Sequence, residues 1–141
     1  MRRPEEAAVV VRRQGAYLVL KRSPQRHGYW HLVAGALEWG EEAAAAAVRE
    51  LREETGLEAE VRELQRFAYD LAGDPPEVRA RFAAGTETVQ VYAFLAEAPA
   101  GWEPVLDEEH ETYRWCSAED AVALLAYPEP RAAVLAAEAL A

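Results

Sequence analysis

The stretch from Gly35 to Leu57, GALEWGEEAAAAAVRELREETGL, constrains this 141-residue chain more than any other. Strong helix formers fill Glu41 to Thr55, and Gly56 stands where a left-handed cap would end them, so a helix over 41–55 is predicted. On it Ala44, Val48, Leu51 and Thr55 make a narrow stripe that should face a core. Beside that stripe Glu50, Glu53 and Glu54 fall at i, i+3 and i+4, where they are surface neighbours, and the small Ala43 and Ala46 leave the same face open. Like charges so placed cost roughly 0.2 to 0.5 kcal/mol per pair. A helix selected only for stability would not cluster them, so something positive is expected over that face.

The segments on either side read as a mixture of strands and helices. Ala7 to Arg12 and Ala16 to Arg22 are apolar or β-branched runs separated by Arg13, Gln14 and Gly15, the spacing of a hairpin. Ser23 to Gly28 is turn-rich, and Tyr29 to Ala34 makes an extended approach to Gly35. Past the helix, Leu57 to Leu71 reads as one strand or two joined by a bend, Gly73 to Gly85 as a loop and Thr88 to Leu95 as a strand. An acidic loop over Gly101 to Glu109 then leads to a short strand, Thr112 to Cys116. Ser117 caps a helix through Leu125 with Asp120 at its third position, and a last helix covers about Arg131 to Leu140. This order predicts an α/β layered domain with a mixed sheet, although periodicity alone leaves its topology open.

Composition narrows the setting. The chain is long enough to bury a core without disulfides or a structural metal, so one domain over residues 1–141 is expected. No apolar run approaches the roughly 20 residues that span a bilayer, and the N-terminus lacks the apolar region of a signal peptide. The expectation is a cytoplasmic protein without a membrane partner. Cys116, the only cysteine, fits a reducing compartment and reads as packing beside Trp115. A net charge of -10 argues against general nucleic-acid binding. That charge is uneven: residues 1–35 carry seven Lys or Arg against two Glu, and residues 36–141 carry eight against twenty-three acids. A basic segment beside an acidic helix suggests a polyanion held by arginines and bound cations, the alternative being ordinary solvated charge.

Gly35, Glu41 and the run Arg49-Glu50-Leu51-Arg52-Glu53-Glu54-Thr55-Gly56-Leu57 reproduce the full signature of the Nudix hydrolases, and the chain resembles that family. The resemblance implies an α/β/α sandwich with a mixed β-sheet and cleavage of a diphosphate linkage in a small nucleoside diphosphate derivative. It implies Mg²⁺, with Mn²⁺ as the substitute, and it is compatible with a homodimer. Hard cations of this kind take carboxylate oxygens together with phosphates and waters. By the resemblance Glu50 and Glu54 are the principal metal ligands, Glu53 a further ligand through water, and Arg49 a residue that orients a carboxylate. A backbone carbonyl near Gly35 also binds metal in the family. Glu41 opens the helix, where its charge suits the dipole. Glu109, in the run Asp107-Glu108-Glu109-His110, is the candidate for an additional ligand or general base, with a merely solvated acidic loop as the competing reading. His110 reads as surface or strand-start packing.

Residues outside this motif resemble the branch that hydrolyses dATP or dihydroneopterin triphosphate to a monophosphate and pyrophosphate. The matching pieces are Arg3-Pro4, Lys21-Arg22, Tyr29-Trp30, Glu109-His110 and Tyr113-Arg114-Trp115. On this likeness Arg22 and Arg2 contact substrate phosphates, and Tyr127 lies near the base or pterin. Guanidinium suits phosphate chemically, although a solvated strand end is an equal reading of Arg22. A dinucleoside polyphosphate or ADP-ribose hydrolase remains the alternative substrate class. A nucleotide-binding domain of the same fold without turnover is the alternative of another kind.

Overall fold

The computed structural model describes residues 1–140. β1 (Glu5–Arg13) and β2 (Ala16–Arg22) are joined by Gln14 and Gly15 at φ 47° and 80°. Positive φ at both positions matches the right-handed twist of a tight hairpin, which glycine adopts without strain. The two strands pair only near the turn, at Arg12 with Tyr17 and Arg13 with Ala16. Beyond it they part. β1 takes β4 (Val33–Ala36) antiparallel and β6 (Thr88–Glu97) parallel. β2 takes β7 (His110–Cys116) and the two-residue β3 (Trp30–His31), and β5 (Arg62–Asp70) pairs with β6.

β1 holds the centre of this mixed sheet because Ala7 to Val11 is apolar on both faces, as a strand covered from both sides must be. Ala7, Val9 and Val11 join Leu18, Leu20, Val33 and Leu51 in one core beneath α1 (Ala43–Thr55). Val10, Tyr17, Val19 and Ala93 join a second core beneath α3 (Ala118–Leu124) and α4 (Pro128–Glu138). Alternation along the strand thus builds an α/β/α sandwich. Among the described residues no helix is long and apolar enough to cross a membrane.

Several expected boundaries move. Ser117 caps α3 as its sequence suggests, its hydroxyl accepting from the Asp120 amide at 3.1 Å. α1 starts at Ala43 rather than Glu41, since the Glu41 carboxylate is engaged elsewhere. The stretch expected to be a loop over 73–85 contains a single helical turn, α2 (Pro76–Arg79), begun by proline at a position that needs no amide. α4 begins at Pro128 for the same reason. The strand expected from Leu57 narrows to β5. On α1 the expected stripe is rotated: Ala44 and Val48 are exposed, while Ala46, Ala47, Leu51, Glu54 and Thr55 are buried. Ala46 therefore lies in the core and not on an open glutamate face. Alanines at 46 and 47 let the helix approach the sheet closely, and that rotation carries Glu54 inside.

Candidate active site

α1 packs across β4, and Gly35 is the point of closest approach. A Cβ at position 35 would stand 2.2 Å from Cδ and 2.2 Å from Oε1 of Glu50, well inside any contact real atoms make. Glycine is required here by space, because only its missing side chain leaves room for the carboxylate. One turn later Glu54 is 2% exposed. Its Oε1 accepts from the Ala34 amide at 3.4 Å, and its Oε2 is buried without a hydrogen-bond partner. Burial, then the neighbouring Glu50 and the charge of Asp107, push the Glu54 carboxyl far above the ordinary carboxylate range. Glu53 points the other way, its side chain 53% exposed. The glutamates expected as three surface neighbours are thus one buried, one tucked beneath Gly35 and one open to solvent.

Arg49 ties this end of α1 to the preceding loop. Its guanidinium donates to both Glu41 oxygens at 2.9 Å, to Glu50 Oε1 at 2.8 Å, to Glu53 Oε2 at 3.3 Å and to the Ala36 carbonyl at 3.1 Å. The fork geometry of arginine suits it to bridge several carboxylates at once. Glu41 in turn accepts from the Glu38 amide at 3.0 Å. These contacts hold its carboxyl down at about 2, the Arg49 hydrogen bonds being the main cause. Glu41 therefore serves as the far anchor of a clamp rather than as the first residue of the helix.

β7 brings in a group that sequence reasoning assigned to packing. His110 is 6% exposed, with Nδ1 2.8 Å from Asp107 Oδ1 and Nε2 3.7 Å from Glu54 Oε1. Its Nε2 has no hydrogen-bond partner. Asp107, three residues before it, is thus the member of the acidic run that bears on Glu54. Glu109 turns outward to Arg26 at 3.3 Å, and its backbone carbonyl accepts from Ser23. Both acids precede β7, and the turn that leads into it, where the His110 amide donates to the Asp107 carbonyl at 3.4 Å, sends their side chains different ways. An acid three residues from a histidine at a strand start was the available signal.

Arg22 lies opposite His110 across the β2–β7 ladder, just past a register shift. Its guanidinium stands 5.4 Å from the ring centre of Tyr29, its Nε is buried without a partner, and no carboxylate forms an ion pair with it among the described residues. The imidazole of His31 is held down at about 4, chiefly by desolvation with the charge of Arg22 acting the same way, and so is neutral at physiological pH. Tyr127, 49% exposed, meets Tyr29 edge to face at 5.2 Å. Arg22, Tyr29 and Tyr127 thus adjoin one another, beginning at the ladder position where Arg22 pairs with His110. Arg2 is placed differently, with Nη2 on Glu6 Oε2 at 3.0 Å.

The donor set suits a hard divalent cation. A buried oxygen without a partner beside a second carboxylate is unfavourable unless positive charge sits between them. Among the described residues no three His, Cys, Asp or Glu side chains form a complete cage. Mg²⁺ asks for less, since it commonly keeps waters and takes one or two carboxylates together with substrate phosphates. A groove of about 720 Å³ lined by Arg3, Glu5, Trp39, Glu41, Arg66 and Tyr92 adjoins the clamp at Glu41, but it reaches neither Glu50 nor Glu54 and does not carry this chemistry.

Comparison with known proteins agrees with this geometry. The NUDIX domain matches residues 1–137. A CTP pyrophosphohydrolase of Escherichia coli strain K12 is 32% identical over 130 residues, covering 91% of this chain and 84% of that protein. An octanoyltransferase of Myxococcus xanthus is 33% identical over 124 residues, 86% of this chain, and the chain spans only 32% of that protein's length. The solved structure of the E. coli dihydroneopterin triphosphate pyrophosphohydrolase superposes with a TM-score of 0.80 at 27% identity, covering 94% of this chain and 93% of the other.

Proposed function

The chain belongs to the Nudix hydrolase family, whose members generally use divalent cations, and on that premise we propose that it is a Mg²⁺-dependent pyrophosphohydrolase of a nucleoside triphosphate or dihydroneopterin triphosphate. Mn²⁺ is the substitute ion. The products are a monophosphate and pyrophosphate, and residues 1–141 act as one catalytic domain. The observation that carries this reading is the pair of carboxylates at Glu50 and Glu54, one lodged beneath Gly35 and the other buried with an unpartnered oxygen.

In this proposal Glu50 and Glu54 hold the cation, with the backbone at Gly35 beside them and Glu53 engaged through water from its exposed position. When bound, the cation polarises the attacked phosphorus, lowers the pKa of the attacking water and offsets the repulsion between acidic site and polyphosphate. Arg49 keeps Glu50 and Glu53 in place through its anchor on Glu41. Arg22, without an ion-pair partner, binds phosphate oxygens in its fork. Tyr127 and Tyr29 stand where the nucleoside or pterin end would pass. Glu109 would serve as ligand or base only after leaving Arg26, and Asp107 holds His110 against Glu54 without that change.

Support for triphosphates over other diphosphates comes from the relatives, one named for CTP and one for dihydroneopterin triphosphate. The test is product identification by mass after incubation with Mg²⁺ and dATP, CTP, dihydroneopterin triphosphate, dinucleoside polyphosphates or ADP-ribose. Monophosphate and pyrophosphate from a triphosphate are expected. Turnover of ADP-ribose alone would overturn the substrate class, and binding without turnover of any of them would overturn the enzyme reading.

A further inference from the structure

His110 is the second buried group beside Glu54 that is left incomplete. Its side chain is 1% exposed and that of Glu54 is 3% exposed. Nδ1 lies 2.8 Å from Asp107 Oδ1, and a carboxylate can only accept, so that nitrogen carries the ring proton. In the neutral ring Nε2 then keeps its lone pair. Nε2 stands 3.7 Å from Glu54 Oε1, beyond the reach of a hydrogen bond. Both Nε2 of His110 and Oε2 of Glu54 are buried without a hydrogen-bond partner.

Lone pairs that face one another out of water are unfavourable unless something positive lies between them. A proton shared across the gap would draw the two atoms to about 3.2 Å or less, which is closer than they stand. A cation suits the spacing. Bonds of about 2.0 to 2.2 Å from metal to nitrogen or oxygen let two donors on one ion stand up to about 4.4 Å apart. The ring is also held as a ligand is held. Metal-bound imidazoles generally give their second N–H to a carboxylate, a carbonyl or water, which fixes the tautomer and makes the ligating nitrogen more basic. Asp107 occupies that place.

We propose that His110 Nε2 is a cation ligand beside Glu54, a nitrogen donor that biases the site away from Mg²⁺ and toward later first-row divalent ions. This rests on the reading of Glu54 as a cation ligand and deepens it. Mg²⁺ takes oxygen ligands and dehydrates reluctantly, whereas imidazole suits the later ions, whose affinity climbs from Mn²⁺ through Co²⁺ to Cu²⁺. Two protein donors suffice where waters and substrate phosphates complete the sphere, in keeping with the lack of a closed cage among the described residues.

The probe is Co²⁺ alone, added to the full chain without nucleotide and followed by visible absorption and by paramagnetic proton NMR. Wild type should show a hyperfine-shifted imidazole N–H that exchanges slowly with water, because Asp107 holds the Nδ1 proton in a buried pair. Glu54→Gln should remove that resonance, which separates His110 from His27 and His31. Losing even an outer partner of a ligand costs roughly 10- to 100-fold in metal affinity. His110→Gln should therefore abolish the resonance and weaken Co²⁺ binding by about tenfold or more, while Mg²⁺ affinity, read by competition, changes by less than about threefold. Co²⁺ binding that needs Glu54 yet gives no imidazole resonance in wild type, or that His110→Gln leaves unchanged, overturns the role of His110 alone. The wild-type spectrum decides this even where the variant fails to fold. Absence of any Co²⁺ binding that depends on Glu54 overturns the cation reading of Glu54 and this inference with it.

Discussion

Glu54 is held against its own charge. In the folded chain its carboxyl lies well above the ordinary carboxylate range, because burial and the nearby Glu50 both oppose ionisation. Folded protein therefore keeps a proton that the unfolded chain gives up, and this part of the stability is complete below the ordinary carboxylate pKa and lost as pH rises above it. Without divalent cation, Glu54→Gln should raise the denaturant midpoint at neutral pH and flatten the fall in stability between acid and neutral pH, measured by urea titration at several pH values. The same substitution removes a ligand oxygen, so stability and activity should move in opposite directions. Gly35 gives the complementary case. A methyl at that position must displace the Glu50 carboxylate, and overpacking of this kind costs about 1 to 3 kcal/mol. Gly35→Ala should lower the melting temperature and also weaken the stabilisation by added Mg²⁺, read as a smaller shift of that temperature. The close approach of Gly35 to Glu50 is not visible in sequence spacing, which shows a glycine fifteen residues before a glutamate and nothing of the gap between them.

At the scale of elements, α1 was legible because helix propensity, an ordered acidic pattern and a stop glycine all agree. Gly56 sits at φ 80° with its amide on the Arg52 carbonyl at 2.9 Å, and the Thr55 hydroxyl bridges the Leu51 carbonyl and the Leu57 amide. Replacing Gly56 by alanine should cost about 1 kcal/mol, since a side chain disfavours the left-handed conformation. Activity should fall less than in Gly35→Ala, because the cap touches neither carboxylate; paired urea titrations and rate measurements check both. The face that α1 buries was not legible. Ala44 and Val48 suggest one seam by hydrophobicity, yet the observed seam runs through Ala46, Ala47, Leu51 and a glutamate. A pattern that counts carboxylates as polar cannot anticipate a buried one whose burial serves the site. His110 escaped for a related reason: its role depends on β7 lying beside β2 and on α1 crossing β4, contacts far apart in sequence.

Across the whole molecule, the two faces of the sheet carry different polar groups. The α1 face carries the clamp and the Glu50–Glu54 pair, while the opposite face carries the Arg2–Glu6–Tyr69 cluster, and β1 and β4 connect them through adjacent ladder positions. The uneven charge of the sequence follows this plan in part, since the basic N-terminal segment supplies Arg22 and Arg2, but Arg2 is already spoken for by Glu6. If Glu50 and Glu54 are arranged to work with a divalent cation, the initial rate of nucleoside triphosphate hydrolysis must respond to Mg²⁺ and to the substitution Glu54→Gln. Such an arrangement gives monophosphate and pyrophosphate at a rate that rises with Mg²⁺, vanishes with a chelator and falls by about 10²-fold or more in the variant, the scale for losing a group that stabilises transition-state charge. Hydrolysis that persists under chelation, or that proceeds at the wild-type rate in Glu54→Gln, would contradict it.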